Sequence, residues 1–223
     1  MSPADWQIVG FSLRMALFSL ALVVPPGLAL AWWLAKFHWR GKTLIETFVT
    51  LPLVLPPVVT GLVLLQFFGR HGVGGWLHRV LGLDVVFTWR AVAVALAAMS
   101  LPLFVRAART AFEEVEVKFE QLARTLGAGE WRIFFTITLP LARRGVLAGV
   151  LLAFARSLGE FGATIMVAGN IPGKTTTLSL AIFERVQLGE DADAYRLLGV
   201  SVALAFVAVW GSEYLFGRKR RPA

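Results

Sequence analysis

Apolar residues in this chain come in blocks. Five stretches of about twenty or more, near residues 8–35, 44–68, 86–105, 145–168 and 197–216, alternate with shorter segments that hold most of the charge. A helix rises about 1.5 Å per residue, so about 20 apolar residues cross the roughly 30 Å hydrocarbon layer of a membrane. Each block therefore predicts a spanning helix. The pattern as a whole predicts an all-α integral membrane protein, with about five transmembrane helices in a single domain over residues 1–223. The block at 86–105 is the weakest, because Trp89-Arg90 sits near its start and Arg106 and Arg109 crowd its end.

Two of the connecting segments carry information. The one at Gly69–Val85 contains Gly72, Gly74 and Gly75 and reads as a flexible turn region. The other, Ala111–Arg144, is far longer than a hairpin needs, and long connections are usually functional or structured. Within it Phe119, Leu122, Ala123 and Leu126 fall at i, i+3, i+4 and i+7, the spacing that lines one face of a helix. Gly127-Ala128-Gly129 breaks that helix, since glycine accepts the left-handed conformation at a helix end. A second short helix from about Glu130 to Ile137 should stop near Pro140, which has no N–H to donate. The result is an elbow over about 115–140, which on periodicity alone could also be an amphipathic helix lying on the inner leaflet.

Composition agrees with a membrane protein: 57% of residues are hydrophobic, 16% are charged and the mean hydropathy is +0.70. That excludes a disordered chain and argues against a soluble globule. The net charge of +8 would otherwise suggest a nucleic-acid partner, but basic residues of membrane proteins collect on the cytoplasmic side. With the N-terminus outside, Lys36, Arg40, Lys42, Arg106, Arg109, Lys118, Arg124, Arg132, Arg143, Arg144 and the tail Arg218-Lys219-Arg220-Arg221 all fall inside. The bias predicts N-out and C-in and removes the need for nucleic acid. Trp32, Trp33, Phe37 and Trp39 close the first block and Trp210, Tyr214 and Phe216 the last, where aromatic rings prefer the interface. Zero cysteines exclude disulfides and thiol chemistry. The first apolar block is longer than a signal-peptide core and lacks a basic region before it, so it is read as a retained span.

Few residues offer chemistry within the blocks. Arg156 and Glu160 lie four apart in the fourth, on one helical face, where they can pair with each other or line a route. Gly145 and Gly149 beside them form a small-residue packing motif. Pro52, Pro56 and Pro57 must distort the second span, as a hinge, a route lining or a structural kink. Arg14 is close enough to the outer end of the first span to reach the interface. His38, His71 and His78 lack acidic partners at ligand spacing, so no metal or other cofactor is expected. Ala168–Thr175 resembles a phosphate-binding loop, but only three residues separate Gly169 from Gly173 where the pattern needs four, and no strand precedes it. ATP binding here is rejected, and so is enzymatic activity of this chain.

Gln121-Leu122-Ala123, Gly127 and Ile137-Thr138-Leu139-Pro140 resemble the EAA loop of ABC importer permeases, E-A-A-x3-G-x9-I-x-L-P, with Gln121 and Leu122 replacing its Glu and first Ala. Leu51–Pro57, Ala123–Ala128, Ala155–Thr164 and Gly169–Gly173 are similar to the sulfate/molybdate branch of that family, and to its molybdate permeases above all. The resemblance implies a type I ABC importer permease in the cytoplasmic (inner) membrane. It implies a homodimer, cytoplasmic ATPase subunits, a periplasmic molybdate-binding protein, and no covalent chemistry in this chain. Gln121, Leu122, Ala123, Arg124, Gly127, Ile137, Leu139 and Pro140 would then form the ATPase-coupling elbow, and Pro56, Pro57, Arg156, Glu160 and Thr164 would line the route. Sulfate, thiosulfate or tungstate are the alternative cargoes. An intramembrane enzyme would need a nucleophile and base that the spans lack, and an ion-coupled transporter would leave the elbow without a purpose.

Overall fold

The computed structural model describes residues 1–37 and 39–217, without the side chains of 215–217. His38, the Phe216 ring and the basic run at 218–221 lie outside the described residues. The first helix, α1 (Pro3–Lys36), starts before its apolar block because Ser2 and Asp5 cap it reciprocally, each side chain accepting the other's N–H. Its 34 residues measure about 51 Å, well beyond the hydrocarbon layer.

The second block is not one helix. It folds as α2 (Lys42–Val54) and α3 (Pro57–Phe68), which meet at 113°. The residue before a proline is pushed out of the α region. Leu55 and Pro56 each precede one and both are extended, with ψ 142° and 134°. Pro52, with only one proline to accommodate, stays inside α2. The glycine-rich segment read as a flexible turn is mostly helical, because a tight reversal at Gly69–Gly75 leads into α4 (Val73–Leu81).

The central helix, α5 (Trp89–Glu113), continues past the expected end at 105. Arg109 does not terminate it, because its guanidinium bonds Glu113 one turn on at 2.7 Å and Glu46 of α2 at 2.8 Å. Beyond lie α6 (Val117–Thr125), α7 (Glu130–Ile133), a π-helical turn (Phe134–Thr138) and α8 (Leu139–Leu158). The fourth block is then cut, since α8 ends at Leu158 and a break at Gly159-Glu160-Phe161 precedes α9 (Gly162–Ala168). The chain closes with α10 (Leu178–Gln187) and α11 (Asp191–Gly217). Among the described residues four helical runs are long and apolar enough to span a membrane, five if α2 and α3 count as one broken span.

Packing centres on α5. Phe104 and Phe112 are buried between α1, with Val23 and Leu34, and α8, with Val146 and Ala153. At its other end Val92, Leu96 and Met99 pack on Ala163 and Val167 of α9. A third cluster joins Val9 of α1 to Leu178 of α10 and Leu197 of α11. Lipid tails are as apolar as leucine, so helices in a bilayer associate through close fit, which explains the wholly buried Ala91, Ala95, Ala108, Ala148 and Ala163. Outward, no residue of α2 is fully buried, although Ile45 and Val49 pack on the core, and Phe206, Val207 and Trp210 of α11 are exposed, as suits a lipid-facing surface.

Candidate functional site

The elbow is built as two helical pieces on either side of Gly127. That residue sits at φ +82°, the left-handed region that favours glycine, and turns the chain from α6 towards α7. Arg124 braces the turn by donating to both carboxylate oxygens of Glu130, at 2.6 and 3.0 Å. Hydrogen bonding to Glu130 holds the Arg124 guanidinium above its ordinary pKa.

The faces of α6 are inverted relative to an ordinary surface helix. Its apolar stripe points away from the bundle, with Leu122 61% and Leu126 81% exposed, and Gln121 is exposed as well. With Ala123, Ile137, Pro140 and Leu141 the stripe lines an open apolar groove. The residue that α6 buries is a carboxylate, Glu120, only 3% exposed. It accepts from Lys36 Nζ at 2.9 Å and from the Thr138 hydroxyl at 2.7 Å. Glu120 did not stand out in the sequence, where Lys36 counted only towards the charge bias and Thr138 only as a variable position of the motif. The available signal was a charged residue opposite an apolar stripe, which periodicity assigns to water.

The second helix of the elbow does not stop near Pro140. After α7 the ladder widens into the π turn, where the Leu139 N–H reaches back five residues to the Phe134 carbonyl. Pro140 then stands at the start of α8, where its missing N–H costs least. Ile137 and Leu139 are half-buried on this turn. Beneath it Trp32, Phe112 and Phe134 pack ring to ring, seating the elbow on α1 and α5.

The remaining candidates gather around the two helix breaks. Gly61 of α3 and Gly162 of α9 allow the backbones to touch: a Cβ on Gly162 would lie 2.8 Å from the Pro57 Cβ, and one on Gly61 2.8 Å from the Ala163 Cα. Pro57 is thereby brought beside the segment holding Glu160 and Thr164, with Pro56 adjacent as the N-cap of α3. Arg156 Nη1 pairs with Glu160 Oε2 at 2.7 Å, although Glu160 no longer shares a helix with it. The other oxygen of Glu160 accepts the Ala163 N–H at 2.7 Å, capping α9. Glu160 is 1% exposed, whereas Arg156 keeps 27% of its side chain open. Thr164 and Thr60 are buried with hydroxyls that find no partner among the described residues.

The phosphate-loop lookalike joins α9 to α10, not a strand to a helix, and its Thr175 hydroxyl is spent on the loop's own backbone at Gly169 and Ile171. Arg14 is exposed on α1. Among the described residues no three His, Cys, Asp or Glu side chains gather as a metal site would need.

A helical bundle with an elbow and broken membrane helices defines the class: the chain belongs to the family of binding-protein-dependent transport system inner membrane components, whose model matches residues 27–214. It is a multi-pass inner-membrane permease subunit with the type I ABC importer fold. It is 48% identical to the molybdenum transport system permease protein ModB of Escherichia coli K12, over 96% of this chain and 95% of the relative. The corresponding protein of Haemophilus influenzae is 44% identical over 96% and 94%. The sulfate transport system permease protein CysT of Escherichia coli K12 is 39% identical over 86% of this chain and 71% of its own. Among solved structures, a bacterial alginate ABC transporter in complex with its periplasmic protein superposes with TM-score 0.72 at 18% identity, covering 100% of this chain and 82% of that one. The inward-facing MetNI methionine ABC transporter gives 0.68 at 15% identity, covering 99% and 100%.

Proposed function

We propose that this chain is the membrane subunit of an ATP-driven importer of molybdate, working as a homodimer. Two ATPase subunits would sit on the cytoplasmic side and a molybdate-binding protein on the periplasmic side. The observation that carries the reading is near full-length identity to relatives named for molybdenum transport. The concentration of Lys and Arg on one side supports a periplasmic N-terminus and a cytoplasmic elbow. Sulfate is the second reading, favoured by the likeness to a sulfate permease. The test is uptake into proteoliposomes that contain the permease, its ATPase and its binding protein. Molybdate should enter only with ATP, and a large excess of sulfate should leave uptake intact, whereas tungstate, an oxyanion of the same size and charge, should compete. Equal competition by sulfate would transfer the assignment to sulfate.

In this reading Gln121, Leu122, Ala123, Arg124, Gly127, Ile137, Leu139 and Pro140 form the docking elbow for the ATPase. The exposed apolar groove on α6 supports it, because such a surface on the aqueous side calls for a cover. Pro56, Pro57, Arg156, Glu160 and Thr164 belong to the route. Arg156 supplies positive charge to the anion, and Glu160 keeps that charge from holding it too tightly.

The elbow reading makes a prediction at Gly127. Nothing lies within 4 Å of where its Cβ would be, so Gly127→Val acts through backbone conformation alone. Holding an L-residue left-handed costs about 1–2 kcal/mol, a factor of about 5–30 in the population of the docking shape. Copurification of the ATPase should fall by that order while the permease still inserts. Gly129→Ala, at φ −73° with equally open space, should have no effect. Equal ATPase recovery from both variants would remove the elbow's shape from the account.

A further inference from the structure

Glu120 is the buried residue by which α6 enters the bundle, and among the described residues the two groups that bond its carboxylate, from Lys36 and Thr138, belong to other elements. Lys36 is the last residue of α1, and its ammonium reaches Glu120 Oε1 at 2.9 Å with the side chain 14% exposed. Thr138 closes the π turn that feeds α8, and its buried hydroxyl donates to the same oxygen at 2.7 Å. The rest of α6 holds on weakly: its N-cap makes no side-chain bond, its apolar stripe faces outward, and its link to α7 is the exposed Arg124–Glu130 pair. Exposed pairs are screened and yield readily, whereas a buried carboxylate cannot leave its partners without leaving a charge unsolvated. This contact therefore ties α6 to the end of α1 and the start of α8.

From this geometry we infer that Glu120, with Lys36 and Thr138, is the positioning cluster that transmits movement of α6 to α1 and α8, so that ATP hydrolysis is converted into transport. The inference rests on the importer reading above. It makes Glu120 a carrier of motion inside the subunit, separate from the surface that meets the ATPase. α8 ends beside Arg156 and Glu160, so the same helix that Thr138 starts carries any displacement to the second group of candidate residues.

The test uses the full complex in proteoliposomes and reads molybdate imported per ATP hydrolysed. Glu120→Gln keeps an acceptor for Thr138 and removes the ionic bond to Lys36. It should assemble and hydrolyse ATP near the normal rate, while import per ATP falls roughly tenfold, within the range of ordinary coupling energies. Lys36→Glu with Glu120→Lys should restore much of that ratio. An unchanged ratio in Glu120→Gln overturns the inference, and so does a loss of hydrolysis and import together in proportion to assembled complex, which is what a purely structural contact predicts. Should Glu120→Gln fail to assemble, Thr138→Val, which removes a hydroxyl at constant shape, is read by the same criterion. A wild-type complex that hydrolyses ATP without importing molybdate would overturn the transport reading and not this one.

Discussion

Arg156→Met alone should abolish assembly, whereas Arg156→Met combined with Glu160→Gln should assemble and hydrolyse ATP yet import little molybdate. The single change strands the Glu160 carboxylate, which is 1% exposed, with one backbone N–H in place of an ion pair. Breaking one half of a buried pair costs roughly 3–5 kcal/mol, while removing both charges is often neutral. Gln at 160 still offers an oxygen to the Ala163 N–H, so the cap on α9 survives, which an apolar replacement would not allow. The asymmetry of the pair gives the second half of the expectation. Glu160 is sealed on all sides, but part of the Arg156 guanidinium arm is open, and an oxyanion crossing a low-dielectric bundle needs compensating positive charge. Uptake normalised to assembled complex decides it. Full uptake by the double variant would leave the pair as a packing device.

The second large effect is expected at the contact between α3 and α9. Gly162→Leu places a Cβ 2.8 Å from the Pro57 Cβ and 3.2 Å from the Val58 nitrogen, atoms of a chain that cannot rotate away. Overpacking of this kind costs about 1–3 kcal/mol, and the remainder of the leucine must find room as well. Gly159→Ala is the control, since its Cβ would meet nothing closer than 3.9 Å. The thermal midpoint of the purified permease should drop clearly for Gly162→Leu and hold for Gly159→Ala. Equal midpoints would mean that the two half-helices do not depend on close approach.

The apolar blocks showed the long helices because a bilayer imposes one length and one polarity on whatever crosses it, and α1, α5 and α11 obey that rule with ends displaced by caps and ion pairs. What escaped the blocks were the places where hydropathy is silent. Leu55-Pro56-Pro57 is as apolar as its surroundings, so the 113° turn shows in backbone sterics and not in composition. The break at Gly159–Phe161 carries no proline, and its marker was a glutamate placed three residues before a helical N–H that needed an acceptor. Among the candidate residues, the stripe Phe119, Leu122, Ala123 and Leu126 was legible as a stripe, but periodicity cannot say which side of a helix faces the bundle. On α6 it faces out, and Glu120, the carboxylate that faces in, was indistinguishable from a solvated charge.

The π turn has a bearing on all of these positions at once. Such a turn stores one more residue than an α turn would, and one residue of α-helix corresponds to about 100° of rotation. Phe134–Thr138 therefore sets the phase of α8 against the chain that enters it. With that extra residue in place, Thr138 meets Glu120 at one end of α8 while Arg156 reaches Glu160 at the other. Drawn tight into an ordinary ladder, the same sequence would turn α8 by more than a quarter of a revolution against α6 and take the Thr138 hydroxyl away from Glu120, while the local Arg156–Glu160 pair would turn with the helix as one piece.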